Sequence, residues 1–326
     1  MMKAGITTAP RLLFGLLALL ALDVAAQSFP TRPIRILIPF TAGSAADIIA
    51  RAMEPQLREK LGQSLVIDNR GGAGGNIAAE LTAKSAPDGY TLMMGTIGTH
   101  AINYSLYSKL AFHPVRDFTP VVLVGDSPNV LVINPRVPAN SIQELIALAK
   151  SRPGQLNYGS SGAGTSVHLS AELFATMAGV KIVHVPFKGA TEALTALLGG
   201  QLDLMFASLS SSIPLIKQGR LKAFAVTGAQ RSPSMPELPT IAEAALPGYA
   251  AAAWYGLLGP AGMPQPVVAT LAKAALATLA TPEVKDRLFA SGVEVRPGDS
   301  REFAKLIDAE VQKWAKVVKE SGARVE

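Results

Sequence analysis

The stretch that decides the fold is Pro33–Arg51, PIRILIPFTAGSAADIIAR. It opens with an apolar, β-rich run from Ile34 to Phe40, breaks at Thr41-Ala42-Gly43-Ser44, and resumes with helical spacing at Ile48, Ile49 and Met53. That is the pattern of strand, small-residue turn and helix. Such a junction turns unpaired backbone N–H groups outward, where the positive end of the helix dipole favours an anion. The expectation is a turn that holds a carboxylate without reacting with it.

Working outward, the same pattern returns at Leu156–Met177, where a strand ends in SSGAGTS (Ser160–Ser166) and a helix follows. Thr96–His100 and Ser208–Ser212 are two further strand ends rich in small and hydroxyl residues. Open α/β sheets bind ligands at the carboxyl ends of their strands. One such loop is ordinary turn and cap chemistry, but two, each opening its own half of the chain, suggest an anion clamp that needs no Arg or Lys.

Between these units, β-type runs and helical patterns alternate. Strands are expected at 64–68, 90–95, 119–124, 129–134, 181–185, 202–206 and 221–227, with helices between them. This alternation predicts mainly parallel sheets with helices on both faces. Ser141 with Glu144 has capping-box spacing. Arg231–Gly248 is Pro-rich and reads as a tethered loop. After a return strand near 250–259 the remainder reads as three helices, 265–280, 282–290 and 300–321. No repeat of fixed period is present.

At 326 residues the chain is long for one core and suits two lobes. Net charge is +6, with basic residues scattered and aromatics at 6%, which disfavours a nucleic-acid surface. Residues 1–26 read as an export leader: Lys3 and Arg11, an apolar run Leu12–Leu22, then Val24-Ala25-Ala26 before Gln27. Cleavage near Ala26 removes Lys3, Arg11 and Asp23 and leaves a charge of +5. Without cysteine, neither a disulfide framework nor a lipid anchor is possible. The expected destination is the periplasm.

Other chemistries find little support. Arg70–Asn76, RGGAGGN, fails the dinucleotide spacing because Ile77 stands where the last glycine belongs, and there is no P-loop. His100, His113, His168 and His184 have no metal spacing. No G-x-S-x-G elbow marks a nucleophilic serine. His168 reads equally as a donor to a ligand and as a local cap, and Asp47 as a cap of the first helix or a ligand contact.

Taken together and in order, PTRPIRILIPFTAGSAADIIAR (30–51), VIDNRGGAGGNIAAE (66–80), APDGYTLMMGTIGTHAIN (86–103), NYGSSGAGTSVHLSAELF (157–174), HVPFKGATEALTALLGGQLDLMF (184–206), LKAFAVTGAQRSP (221–233) and GLLGPAGMP (256–264) resemble the Bug-type extracytoplasmic solute receptors, the binding components of tripartite tricarboxylate transporters. The resemblance spans essentially the whole mature chain. It implies an α/β fold, a two-lobed periplasmic binding protein of type II (Venus flytrap) architecture, each lobe a mainly parallel sheet flanked by helices. The expected division is 1–26 signal peptide, 27–124 plus 252–326 lobe 1, and 125–251 lobe 2. The implied hinges are Val124–Ser127 and Ala250–Trp254.

Carried over position by position, the resemblance places ligand contacts at Phe40, Thr41, Ala42, Gly43, Ser44 and Asp47 in the first loop. In the second it places them at Ser160, Ser161, Gly162, Gly164, Thr165 and His168. Thr96, Thr99, Pro186, Phe187, Lys188, Gly189, Ala207 and Ser208 complete the cleft, and Phe40, Phe187 and Trp254 are its expected apolar walls. No catalytic residue, cofactor or metal is expected. The chain departs from the usual first loop, since Thr41 replaces a proline and Ser44 a glycine; a positive φ at Ser44 would be strained. Ala207 stands where many relatives carry an acid, which weakens the case for an amino-acid ligand.

The implied activity is capture of a small organic carboxylate by a monomer and its delivery to membrane transporter subunits, with no nucleic-acid partner. Two rivals stay open. An exported serine hydrolase would lose turnover on replacing one serine together with His168. A receptor that shows its closed form to a signalling partner would share the cleft and differ in partner.

Overall fold

The computed structural model describes residues 1–2, 29–321 and 324–325. From residue 3 onward, the expected leader and its cleavage point lie outside the described residues. Among these residues the chain forms a ten-stranded mixed sheet and eleven α-helices.

The opening unit folds as its pattern requires. Strand β1 (Ile34–Ile38) has Ile34, Leu37 and Ile38 completely buried, as befits a parallel strand covered on both faces. Helix α1 (Ala45–Leu61) buries Ile49, Met53, Leu57 and Leu61. Their four-residue spacing makes one apolar stripe, and each such side chain contributes about 2 kcal/mol on burial. Gly62 ends the helix at φ +65°, a conformation that costs glycine no Cβ clash.

Strand β2 (Leu65–Asn69) and strand β3 (Thr91–Thr96) flank β1, both parallel to it. Helix α2 (Asn76–Ala83) connects them, and after β3 a π-turn at Gly98–Ile102 leads into the short helix α3 (Asn103–Leu106).

Strand β4 runs for 16 residues, Phe118–Ile133. It corrects the expectation of two separate strands at 119–124 and 129–134. The pairing register shifts between Pro120 and Val122 and again between Leu123 and Gly125, so the strand bends past its proline and glycine instead of stopping. From Phe118 to Pro128 it pairs antiparallel with β9 (Ala252–Pro260). From Asn129 onward it pairs antiparallel with β7 (Leu204–Ser208) and β8 (Lys222–Val226). One strand thus serves both halves.

The second half repeats the plan of the first. Helix α4 (Ile142–Ser151) is capped by Ser141, whose hydroxyl accepts from the Glu144 amide. Strand β5 (Asn157–Ser160) runs parallel to both β6 (Val183–Pro186) and β7. Helices α5 (Ser166–Ala178), α6 (Ala190–Leu198) and α7 (Leu209–Lys217) follow β5, β6 and β7. The Pro-rich segment is not loop throughout, because Thr240 and Glu243 form a reciprocal capping box that starts helix α8 (Ile241–Ala244).

After β9 the chain forms α9 (Gln265–Leu279) and α10 (Pro282–Ala290). Strand β10 (Glu294–Gly298) then pairs antiparallel with β4 before α11 (Ser300–Ser321). Too short and too polar to show a period-two pattern, β10 was not expected from EVRPG. Parallel pairing holds on both flanks of the sheet, while the centre, where β4 and β9 connect the halves, is antiparallel. This is the expected two-lobed α/β architecture.

A Cβ on Gly125 would lie 2.1 Å from the Glu294 carbonyl oxygen, where β10 meets the bend in β4. Gly125→Ala is expected to cost about 2 kcal/mol of stability, read as a lower urea midpoint at unchanged slope. An unshifted midpoint would mean that β10 does not seat on β4.

Candidate functional site

The strand ends of the two halves meet at a small cavity. At the first turn, Gly43 takes the positive φ (+79°) and Ser44 sits in extended backbone at φ −70°. The condition for strain at Ser44, a positive φ, is therefore not met, because the neighbouring glycine takes it. Ser44 is the N-cap of α1, its hydroxyl accepting the Asp47 N–H at 3.4 Å. Asp47 in turn accepts the Gly43 N–H at 2.9 Å and the Arg51 Nε–H at 2.9 Å. Burial opposes a charge on Asp47, but hydrogen bonds from Arg51, Gly43 and Asn69 more than offset it and hold the carboxyl below its usual range.

The second turn is built in the same way. Gly164 carries φ +83°, and Thr165 caps α5 by accepting the His168 N–H at 3.3 Å. His168 Nδ1 accepts the Gly164 N–H at 3.2 Å, taking the place that Asp47 has in the first turn. Asp47 and His168 are both third residues of their helices, and both look back at their own turn. His168 is a cap and does not line the cavity.

With the third amide of each helix satisfied by its cap, the first and second remain without an intrahelical acceptor. These belong to Ala45 and Ala46 in α1 and to Ser166 and Val167 in α5, and all four residues line the cavity. Hydroxyls of Ser44, Thr96, Ser161, Thr165, Ser208 and Tyr255 surround them, with Phe40, Ala190 and Ala253 as apolar surface. None of the described lining residues is charged. The cavity measures about 20 Å³, room for one water, so the two halves are closed onto each other.

Six of the expected site residues line this cavity: Phe40, Ser44, Thr96, Ser161, Thr165 and Ser208. The others stand one layer back or outside. Thr41 Oγ1 is buried without a partner close to Gly189, and the Ala42 carbonyl faces Thr191. Thr99 is fully buried, and its hydroxyl bonds the Thr96 amide at 3.1 Å and His100 Nδ1 at 2.8 Å. The Ser160 hydroxyl, also fully buried, accepts the Gly162 N–H at 3.1 Å and bonds His184 Nε2 at 2.6 Å.

Ala207 is core, because side chains alternate along β7 and leave Ser208 to face the cleft. Phe187 is half-buried, while Pro186 and Lys188 are exposed. Trp254 is not a wall of this cavity. It packs edge-on against Phe303, ring centroids 5.4 Å apart, and lines a larger hollow of about 360 Å³ with Asp126, Arg296 and Lys313. Its neighbour Tyr255, one residue on and therefore on the opposite face of β9, takes the cleft position.

The residues missed from the sequence are Ala45, Ala46, Ser166, Val167, Ala190, Ala253 and Tyr255. Four of them open a helix and carry first-turn amides without an intrahelical acceptor, which their side chains do not advertise. The position of each helix start was the available signal.

Behind the second turn lies a buried aromatic stack. The His168 and His184 rings stack at 4.1 Å, and His184 stacks on Tyr158 at 4.9 Å. Tyr158 donates to Glu172 at 2.5 Å. Burial, helped by the nearby His184, lowers the His168 pKa to about 3, and burial lowers that of His184 to about 4. A neutral His168 is what the Gly164 N–H requires of Nδ1. No hydrogen bond joins His168 to a serine hydroxyl among the described residues.

The family model described as "Tripartite tricarboxylate transporter family receptor" matches residues 49–323. Protein BugT of Bordetella pertussis is 36% identical over 310 residues, covering 94% of each chain. Among solved structures, R. palustris Rpa4515 with adipate has 41% identity and a TM-score of 0.88, covering 91% of this chain and 100% of that one. MatC from Rhodopseudomonas palustris with bound malate has 36% identity and a TM-score of 0.85, covering 89% of this chain and 100% of that one.

A histidine held neutral by the fold weakens folding once the unfolded chain takes up the proton. Stability is therefore full above the usual pKa of 6.5 and falls as pH drops towards the folded value of about 3. His168→Asn, whose amide oxygen can still accept the Gly164 N–H, removes one such proton. Urea unfolding between about pH 6 and pH 4 is expected to show a slope shallower by up to about 1.4 kcal/mol per pH unit. An identical slope would show that His168 is not held neutral.

Proposed function

The chain belongs to the tripartite tricarboxylate transporter receptor family, and from that premise we propose that it captures a small organic carboxylate in its cleft and hands it to membrane transporter subunits. The observation that carries this reading is the cavity itself. Two helix N-termini bring four first-turn amides to one uncharged, hydroxyl-lined space. Partial positive charge at each helix start and first-turn N–H groups without an intrahelical acceptor suit a carboxylate.

The absence of a charged lining residue disfavours a ligand bearing an ammonium group, which would be desolvated without a partner. The relatives solved with adipate and with malate are consistent with a di-acid of a few carbons. The lobes divide at 27–124 plus 252–326 and 125–251, with hinges at Val124–Ser127 and Ala250–Trp254. A cavity of about 20 Å³ cannot take an adipate, so binding begins with the lobes apart and ends with their closure. The ligand contacts are the lining residues, not all of the two loops. Asp47, His168 and Ser160 support the turns from behind. The leader directs the mature receptor to the periplasm, where it acts as a monomer and a carrier, not as an enzyme.

A thermal-shift screen of mono-, di- and tricarboxylates, aromatic ones included, tests this. A matching acid at a hundred times its Kd is expected to stabilise the protein by about 2.7 kcal/mol. A shift with sugars or cations but with no carboxylate would sink the reading. Gly164→Val should abolish the shift, since a Cβ there would lie 1.9 Å from Asn103 Oδ1 at a positive φ. Retained affinity would remove the second turn from the site.

A further inference from the structure

Two hydroxyls cross the closed cleft, and we infer that Thr191 and Tyr107 are positioning residues, each latching the carboxylate-binding turn of the opposite lobe by its main-chain carbonyl. The inference rests on the reading of the cleft given above. Thr191 Oγ1, in the first turn of α6, donates to the Ala42 carbonyl at 3.2 Å. Tyr107 Oη, just past α3, donates to the Ala163 carbonyl at 3.0 Å.

The two carbonyls are equivalent. The Ala42 C=O and the Gly43 N–H form one peptide unit, and the Ala163 C=O and the Gly164 N–H form its counterpart. In each, the N–H is held by the third residue of its own helix, Asp47 or His168. The C=O is held by a hydroxyl from the other lobe. Each unit also precedes a glycine of positive φ and stands two residues ahead of the first helical amide. A planar peptide gripped at both ends cannot rotate, so the direction of the following amides is set only while the lobes are closed. Donor and acceptor in series also polarise the unit between them.

Close approach of bare backbone makes this possible. A Cβ on Gly74 would lie 2.2 Å from the Ala163 oxygen and 2.8 Å from the Tyr107 hydroxyl; one on Gly189 would lie 2.0 Å from Thr41 Oγ1. The glycine-rich Arg70–Asn76 segment thereby acquires a role. Gly74 is where the first lobe meets the second turn, and Asn103 Nδ2 donates to the Gly74 carbonyl at 3.1 Å to hold it there. Burial raises the Tyr107 pKa and keeps its hydroxyl protonated as a donor.

Tyr107→Phe and Thr191→Val each remove one donor and little else. Because the chain has no cysteine, Lys84→Cys and Lys150→Cys on exposed positions of opposite lobes accept a dye pair without background. In the ligand-free protein, each hydroxyl deletion is expected to move the population towards longer inter-dye distances. With adipate as the probe, the dissociation rate is expected to rise about fivefold per variant, with the association rate within about twofold of the parent. Thr191→Ser should restore parental behaviour. Unchanged distances and dissociation rates in both deletions would overturn the latch, as would a lowered melting temperature with unchanged distances. If the parent binds neither adipate nor any other carboxylate, the reading of the cleft fails, while the ligand-free distances still decide the latch.

Discussion

A helix cannot supply acceptors for the amides of its own first turn, and the cleft is built around two helices that meet this constraint identically. In each, a hydroxyl cap takes the third amide and the third side chain takes the amide of the preceding glycine. The first two amides are left without an intrahelical acceptor, in residues that line the cavity. One lobe uses a carboxylate for the return bond and the other an imidazole, so the arrangement follows geometry rather than residue type. What both share is an acceptor of the right length at the third position. The buried charge of Asp47 has Arg51 as partner, whereas His168 avoids the problem by staying neutral.

The two turns can face each other because β4 and β9 carry the sheet continuously from one half to the other. Over 16 residues β4 changes partners once, from β9 and β10 to β7 and β8, at Pro128–Asn129. Its bends fall at Pro120 and Gly125, where a side chain or an amide hydrogen is lacking. On the two faces of β9 lie different spaces: Tyr255 borders the cleft and Trp254 the larger hollow behind it. The larger hollow carries Asp126, Arg296 and Lys313, whereas none of the described residues lining the smaller one is charged.

Much of the fold was legible in advance. Strand–turn–helix units at Ile34–Leu61 and Asn157–Ala178 carry strong apolar periods and caps, and they folded where expected. Helices α10 and α11 begin and end where the pattern placed them. The misses have local causes. Joining the two parts of β4 required a partner strand more than 100 residues away, and β10 exists only because β4 offers it an edge. At the site, small residues marked both turns, but alternation along β7 and β9 decided that Ser208 and Tyr255, not Ala207 and Trp254, face the cleft.

The amino-acid sequence by itself determined the α/β alternation, the two anion-ready helix starts and the absence of any metal or nucleophile motif. These are properties of neighbouring residues, set by period, capping and turn chemistry. Only the tertiary structure decided that Asp47 and His168 play one role, that Ser160 and Thr99 stand behind the wall, and that Thr191 and Tyr107 touch turns far from them in the chain. Those relations depend on which atoms meet across a cleft, and backbone contact through Gly74 and Gly189 leaves no periodic trace in the residues that make it.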